Sequence, residues 1–468
     1  MAMKTNRRRF LKTSATAAAA ASAFTFVPRH VLGGPKFVAP SEKVNIALVG
    51  AGGQGRVNLQ GLLREADVRV VAVADPAQAF DLNEFYYKGT GGRLPTKELI
   101  EKHYAASDPS FRCNEYEDFR VMLEKEKGVD AILVATPDHL HAPISIPAMR
   151  AGKHVYCEKP LCHNLWEARL MARVAKETGV ATQMGNIGHS SEGIRQTCEW
   201  IWAGAIGTVR EVHAWVGATR WNKTITGRPT ETPPVPPGFN WDLWIGPREL
   251  RPYHPTYAPV QWRDFWAFGG GAIGDFVCHD LDAACWALDL RDPLWIEARP
   301  GSQMDKEITP HSEMVTWQFG PRGDKPPVRV TWYDGGLRPP LPDGWPSDED
   351  FPSRGSLFVG DKGVLLAGFA ARPRLLPESV HEAYKAPAKT LPRSKGHHRD
   401  WLDACKGGAP ASSHFVYGAQ LTELLLLGIL SLRTGKRIDW DAAQLKARNL
   451  PSADPIIKES YRPGWEPA

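Results

Sequence analysis

The sequence predicts an α/β fold, a doubly wound parallel sheet followed by a second domain, and three observations carry that prediction. A short apolar run, Val44 to Val49, leads into the glycine turn Gly50-Ala51-Gly52-Gly53-Gln54-Gly55 and then a helical pattern through Leu59, Leu62 and Leu63. Runs of the same strand-like kind recur at Val68 to Ala74 and at Ala131 to Ala135. The chain has 468 residues, more than one hydrophobic core usually serves, so two domains are expected. A hydrophobic content of 43% with 23% charged residues is globular, and 43 glycines with 39 prolines point to many turns.

The chain opens with Asn6-Arg7-Arg8-Arg9-Phe10-Leu11-Lys12 and an alanine-rich stretch to Val27, with Ala21-Ser22-Ala23 as a candidate cleavage site. Residues 1–40 therefore read as a twin-arginine export signal and linker, with Asn6 where Ser or Thr is usual, and the expected destination is the periplasm. The stretch is short and weakly apolar, and the longest apolar run elsewhere, Leu424 to Leu430, is also short, so no membrane span is expected after export. The formal charge of +5 is inflated by this opening segment, and no basic stripe interleaved with aromatics follows it. Nucleic-acid binding is thereby disfavoured. Seven scattered cysteines with no C-x-x-C pair predict neither a disulfide framework nor a metal site.

The glycine turn has the context that gives it meaning, strand before and helix after. Gly50 permits the tight turn, Gly52 lets the backbone approach a pyrophosphate, and Gly55 allows the helix to pack closely. Gly53 and Gln54 open the helix, at the positive end where phosphates sit. The second strand ends at Asp75, about twenty residues on, where a carboxylate accepts hydrogen bonds from an adenine-ribose diol. No arginine follows it closely in sequence, which favours NAD over NADP. The third strand ends in Thr136-Pro137-Asp138-His139-Leu140-His141, whose carboxyl end faces the same crevice. Thr136, Pro137 and His141 are candidate cofactor contacts, whereas His139 reads better as a core or capping histidine.

Next come a helix end at Gly152, a strand, and Glu158-Lys159-Pro160. Pro160 biases Lys159 to extended backbone, and an ammonium at a strand exit can stabilise a developing alkoxide. A second glycine-rich turn, Gly269-Gly270-Gly271, precedes a helical segment holding Asp275, His279 and Asp282. At about 100° per residue these three fall within roughly 60° of one face, with Phe276, Val277 and Ala284 away from it. A lone histidine is usually structural, but a carboxylate one turn away can orient the ring and tune its protonation.

The stretch from Gly50 to Pro160, with its glycine turn and Glu158-Lys159-Pro160, resembles the Gfo/Idh/MocA family of glucose-fructose oxidoreductases, inositol dehydrogenases and rhizopine-catabolism proteins. The segment Phe268 to Asp282 is similar to that family's second motif, with Val277 where many relatives have glycine. The resemblance covers residues 43–465. It implies an NAD-binding Rossmann domain over 41–187, with Glu158 and Lys159 at the cofactor. It also implies a substrate-binding and oligomerisation α+β domain over 188–468, built on an open, mainly antiparallel sheet and assembling as a homodimer or homotetramer. By this resemblance His279 is the base that takes a proton from a secondary hydroxyl of a sugar or polyol. Asp275 is its partner, Lys159 the cation that eases the alkoxide, and Asp282 a supporting group. Gln183 and Asn186 are expected at the crevice. The aromatic-rich stretch of Trp221, Trp241, Trp244, Tyr253, Tyr257, Trp262 and Phe265 offers rings for sugar C–H faces, mostly as core, with Arg263 and His254 available for hydroxyls.

Export constrains the chemistry, because no NAD pool outside the cytoplasm recycles free NADH, whereas the twin-arginine route carries folded proteins. A tightly held cofactor, reduced and reoxidised in one site, answers this. Oxidation of one sugar coupled to reduction of another is the leading expectation. Transient oxidation followed by elimination of a glycosidic substituent, as in NAD-dependent glycosidases, is the alternative. A non-catalytic NAD-binding regulator would tend to lose Lys159 or His279, and both are present.

Overall fold

The computed structural model describes residues 38–467. The export signal expected in residues 1–40 lies almost wholly outside the described residues.

The first half is built on β1 (Val44–Val49), α1 (Gly53–Leu62) and β2 (Val68–Ala74). Two short strands, β3 (Phe80–Asp81) and β4 (Thr90–Gly91), form a hairpin before α2 (Arg93–Tyr104), β5 (Asn114–Tyr116) and α3 (Phe119–Lys125). Then follow β6 (Ala131–Val134), α4 (His141–Arg150), β7 (His154–Cys157), α5 (Leu165–Thr178) and β8 (Thr182–Met184). Strands β5-β2-β1-β6-β7-β8 make one parallel sheet. Its central strands are apolar and buried on nearly every residue, because helices cover both faces. The chain builds outward from β1 through β2 and β5, then crosses back to β6. The carboxyl ends of β1 and β6 therefore part to leave a crevice.

The second half begins with α6 (Glu192–Trp202), β9 (Val209–Val216), α7 (Trp241–Ile245), α8 (Gly271–Asp280) and α9 (Asp282–Leu288). It continues with β10 (Trp295–Pro300), β11 (Glu313–Phe319), β12 (Val328–Tyr333), β13 (Arg354–Gly360), β14 (Gly363–Ala367) and β15 (Arg374–Leu376). The last elements are α10 (Glu378–Ala383), α11 (His397–Cys405), α12 (Phe415–Thr434), β16 (Ile438–Asp441), β17 (Lys446–Ala447) and α13 (Asp454–Ile457). These strands form a nine-stranded sheet in the order β15-β14-β13-β9-β12-β11-β10-β16-β17, antiparallel except where β9 lies parallel to β12. Side chains alternate buried and half-buried along β11, as one covered face requires.

Three sequence expectations change here. Helix α8 stops at Asp280 and α9 starts at Asp282, so Asp282 does not share a continuous helical face with Asp275 and His279. Val277 points into the core, as its place away from the Asp275 and His279 face predicts, but Phe276, placed away from that face too, lines the crevice. Helix α12 is long and apolar enough to cross a membrane, with mean hydropathy 1.6, and 83% of that window is buried inside the fold. It packs on α5, α8, β8 and β10 and so ties the two halves together. The sequence predicts a helix around Leu421 to Leu432 that stops at Thr434-Gly435, and its apolar run is short because Thr422 and Glu423 interrupt it; both are buried, and Glu423 pairs with Arg169. All seven cysteines are free thiols, and six of them are buried.

Candidate active site

The glycine turn is shaped by close approach. Gly50 has φ +92°, and a Cβ there would lie 2.6 Å from the Ala135 carbonyl carbon at the exit of β6. A Cβ at Gly55 would lie 2.0 Å from the Gly50 carbonyl oxygen, so α1 can rest on the turn only without a side chain. At Gly52 a Cβ would meet nothing nearer than Phe80 at 3.8 Å, so this backbone is open to the crevice. Asp75, at the exit of β2, is buried and accepts from the Ala51 N–H at 2.7 Å and the Ala77 N–H at 2.8 Å. Burial pushes its carboxyl up to about 6 despite those hydrogen bonds. Arg93, distant in sequence, reaches this corner, but its guanidinium is occupied by the Asp75 carbonyl at 3.2 Å and the Glu115 carboxylate at 2.7 Å. Among the described residues, the cation that reaches this corner is thus already engaged and not free for a ribose 2′-phosphate.

A cavity of about 500 Å³ runs from this turn into the second half of the chain. It is lined by Gly50, Gly52, Gly53, Gln54, Asp75, Thr136, Pro137, Glu158 and Lys159 from the first half. Tyr253, Trp262, Arg263, Asp275 and His279 line it from the second. Lys159 and the distant pair Asp275 and His279 therefore share one cavity. Just past the exit of β2, the Gln78 N–H donates to the Gly238 carbonyl at 2.8 Å and the Asn240 N–H donates to the Pro76 carbonyl at 3.0 Å. The segment Pro236 to Asn240 thus bridges the mouth of the crevice.

The reactive corner is an ion cluster. Lys159 Nζ donates to the Asp275 carbonyl at 2.9 Å and forms a short contact with the Asp275 carboxylate, whose other oxygen lies 3.4 Å from Arg263 Nε. Burial pulls the ammonium down, but Asp275 outweighs it, and Lys159 stays above the ordinary lysine value. Burial pushes the Asp275 carboxyl up, and the two cations overcome it, leaving it well below the usual carboxylate range. Asp275 is thus the counter-ion of Lys159 and Arg263, and not the hydrogen-bond partner of His279 that the sequence suggested. The cause is electrostatic: a buried ammonium needs a carboxylate more than a neutral imidazole does. His279 has a buried Nδ1 with no hydrogen-bond partner among the described residues and packs edge-on against Phe369 at 5.1 Å. Burial, with Lys159 and Arg354 nearby, holds its pKa well below the ordinary histidine value. The ring is neutral and can take a proton.

Arg263 is held by rings on two sides, 4.1 Å from the Trp262 centroid and 5.5 Å from that of Trp221. Glu158 accepts from Asn58 Nδ2 at 2.8 Å and Gln54 Nε2 at 3.4 Å, which fixes the turn before Lys159. Several expected residues lie elsewhere. His141 does not line the cavity: its ring nitrogens sit 2.7 Å from the Pro160 carbonyl and 2.9 Å from the Thr136 carbonyl, stapling the exits of β6 and β7 together. Asn186 is fully buried and donates to Asp282 at 2.9 Å, while Asp282 also receives Tyr417 and lies 3.0 Å from His189. Gln183 donates to the His397 carbonyl at 2.6 Å, away from the crevice. His254 folds onto Thr256 within its own turn. His139 is a core histidine, 2.9 Å from the Trp244 carbonyl. Trp241, Tyr257 and Phe265 pack in an aromatic core beside the cavity, while Trp244 and Trp221 reach its wall.

The sequence reading missed Asp138, buried at the cavity wall, and Arg354, which reaches the wall while forked onto Asp280 at 3.0 and 2.8 Å. It also missed the hairpin residues Phe80, Tyr86 and Tyr87. The TPDHLH turn carried a signal for Asp138. Arg354 and Asp280 carried none, because nothing local pairs them.

A strand–glycine turn–helix crevice with a largely buried lysine just past β7 defines a nucleotide-dependent oxidoreductase site. Residues 44–186 match the sequence profile described as "Oxidoreductase family, NAD-binding Rossmann fold", and residues 203–319 match "Oxidoreductase family, C-terminal alpha/beta domain". The chain belongs to this family, Gfo/Idh/MocA, and NAD is its cofactor. It is 27% identical over 267 residues to an inositol 2-dehydrogenase of Rhizobium meliloti (57% of this chain, 61% of that protein). It is 31% identical over 194 residues to a levoglucosan dehydrogenase of Pseudarthrobacter phenanthrenivorans (40% of this chain, 41% of that protein). The chain therefore spans less than two thirds of the length of these two relatives. In fold it is similar to the WlbA dehydrogenase from Bordetella pertussis, solved with NADH and UDP-GlcNAcA. That match has TM-score 0.55 and 16% identity over 85% of this chain and 99% of that one. It is also similar to an aldose-aldose oxidoreductase from Caulobacter crescentus, solved with glycerol (TM-score 0.55, 18% identity, 85% and 100% covered).

Proposed function

We propose that this chain is an exported, periplasmic oxidoreductase that acts on a secondary hydroxyl of a sugar or polyol and retains its NAD(H) through repeated turnovers. The observation that carries this reading is the convergence of Lys159, Asp275 and His279 in one cavity with the glycine turn. The residues fit the cofactor: open backbone at Gly52, a carboxylate at the exit of β2, and beside it an Arg93 guanidinium already engaged by Glu115. When bound, NAD supplies the hydride acceptor. The Lys159 ammonium, kept charged by Asp275, donates to the substrate oxygen and stabilises alkoxide character there. His279, kept neutral by burial, receives the hydroxyl proton. In reduction the same groups act in reverse. Retention is supported by the Pro236 to Asn240 bridge just past the exit of β2, which a leaving nucleotide would have to part.

The sugar class rests on the relatives' substrates and on the cavity's aromatic walls, Trp221, Trp262 and Tyr253, with hydroxyl-binding groups between them. The test is to purify the full chain, denature it and identify any released nucleotide, then supply paired sugars and analyse products. Stoichiometric NAD(H) and a net redox exchange between two sugars are expected. A protein that is empty and binds no NAD(H) would remove the reading. Release of an aglycone with no net redox change would replace it with elimination chemistry.

A further inference from the structure

Between β2 and α2 the chain makes an excursion that the dinucleotide fold does not need. Strands β3 and β4 pair over only Phe80↔Gly91 and Asp81↔Thr90. The hairpin is rooted by the Gly92 N–H donating to the Ala51 carbonyl at 2.9 Å, inside the glycine turn itself. From this base Tyr87 folds back onto the turn. A Cβ on Gly53 would lie 2.1 Å from the Tyr87 ring, and the Tyr87 hydroxyl donates to Gln54 Oε1 at 3.4 Å. Tyr86 lies against Tyr87 with centroids 4.0 Å apart, and it stacks on Trp221 of the second half at 5.7 Å and 21°. Tyr86 is 62% exposed, so burial in a core does not explain its position. Trp221 is anchored from behind: its N–H and that of Asn222 donate to Asp264 at 2.8 and 2.6 Å, and Arg263 lies over its ring at 5.5 Å.

We propose that this hairpin is the retaining clamp of the dinucleotide channel, with Tyr87 covering the phosphate-binding turn and the Tyr86–Trp221 stack latching the clamp to the second half of the chain. This rests on the reading above that NAD(H) occupies the channel. The physical argument concerns the order of events. Gly53 and Gln54 open α1 at its positive end, where a pyrophosphate is attracted. An aromatic cover there excludes water and strengthens those polar contacts. All three rings line the same cavity as the turn, so a nucleotide leaving past this end must first part the stack. Offset ring pairs of this kind are worth enough to slow opening by about tenfold. The latch also meets the catalytic corner, because Arg263 lies over Trp221 and faces Asp275. The same contact that holds the clamp shut thus orders a cation beside Lys159.

The test uses the full chain carrying NADH. Its release is followed by loss of nucleotide fluorescence on mixing with excess NAD, and the nucleotide remaining after gel filtration is quantified by denaturation. Wild type, Tyr86→Ala, Trp221→Ala, the double variant and Tyr86→Phe are compared. Release about tenfold faster is expected in each alanine variant, with the double no faster than the worse single, because both remove one stack. Tyr86→Phe keeps the ring and should release as wild type does. Unchanged release from both alanine variants overturns the clamp, as does a double variant whose effect is the product of the two singles. Tyr86 is exposed, so its replacement leaves the fold intact, and a thermal melt verifies this for Trp221→Ala. A wild-type protein that binds no NAD(H) is a separate outcome and overturns the cofactor reading together with the clamp.

Discussion

Asp275 serves two cations at once, so its removal strands both Lys159 and Arg263 in a buried site. Asp275→Asn should therefore cost about 3–5 kcal/mol in urea unfolding, as expected for a broken buried pair. It should also bring the pKa of Lys159 down, so that the alkaline limb of the rate profile moves to lower pH. An unchanged midpoint and limb would refute the counter-ion role. Asp75 gives a second titration. Its folded carboxyl ionises near pH 6, and only the ionised form accepts from both ribose hydroxyls. Affinity for NADH should be flat above about pH 7 and weaken by about tenfold per pH unit below 6. Fluorescence titrations across pH check this, and Asp75→Asn should abolish the step. Burial lowers His279 well below the ordinary value, so it adds no change near neutrality. At this scale the sequence was informative about residue identity and poor about partners. Lys159, Asp275 and His279 were legible from their motifs, but the assignment of Asp275 to His279 followed helical spacing and ignored the counter-ion demand of a lysine distant in sequence.

Strands β1, β2 and β9 have the boundaries their apolar, β-branched runs suggest, because turn residues bound them on both sides. The hairpin β3–β4 was illegible, since two-residue strands carry no periodicity. The break between α8 and α9 was equally silent, with no glycine or proline near Leu281 to announce it. The glycine turn allows packing and approach to be separated. Gly55→Ala forces a methyl to within 2.0 Å of the Gly50 carbonyl and should cost about 1–3 kcal/mol by shifting α1. Gly52→Ala meets only Phe80 at 3.8 Å and should change stability by no more than about 0.5 kcal/mol. It should nevertheless weaken NADH binding, because the added methyl lies where the backbone meets the crevice. Equal melting temperatures for the two variants, or unaltered NADH affinity in Gly52→Ala, would count against this division.

Among the described residues, two large sheets are joined by α12 and share a cavity, with the small β3–β4 hairpin at its side. The parallel sheet was legible from residue patterns, whereas the nine-stranded sheet was legible only through family resemblance. Its contacts are long-range: Arg354 reaches Asp280 across 74 residues of sequence, and no local pattern encodes such a pairing. Sulfur shows what such a fold shields. Six of the seven thiols are sealed inside, and burial pushes even the half-buried Cys405 up to about 12. Thiolate is the form that oxidants and disulfide exchange attack. The folded chain offers such reagents almost no foothold. The same chain unfolded would bare seven reactive sulfurs free to mispair, so in an oxidising medium its durability depends on staying folded.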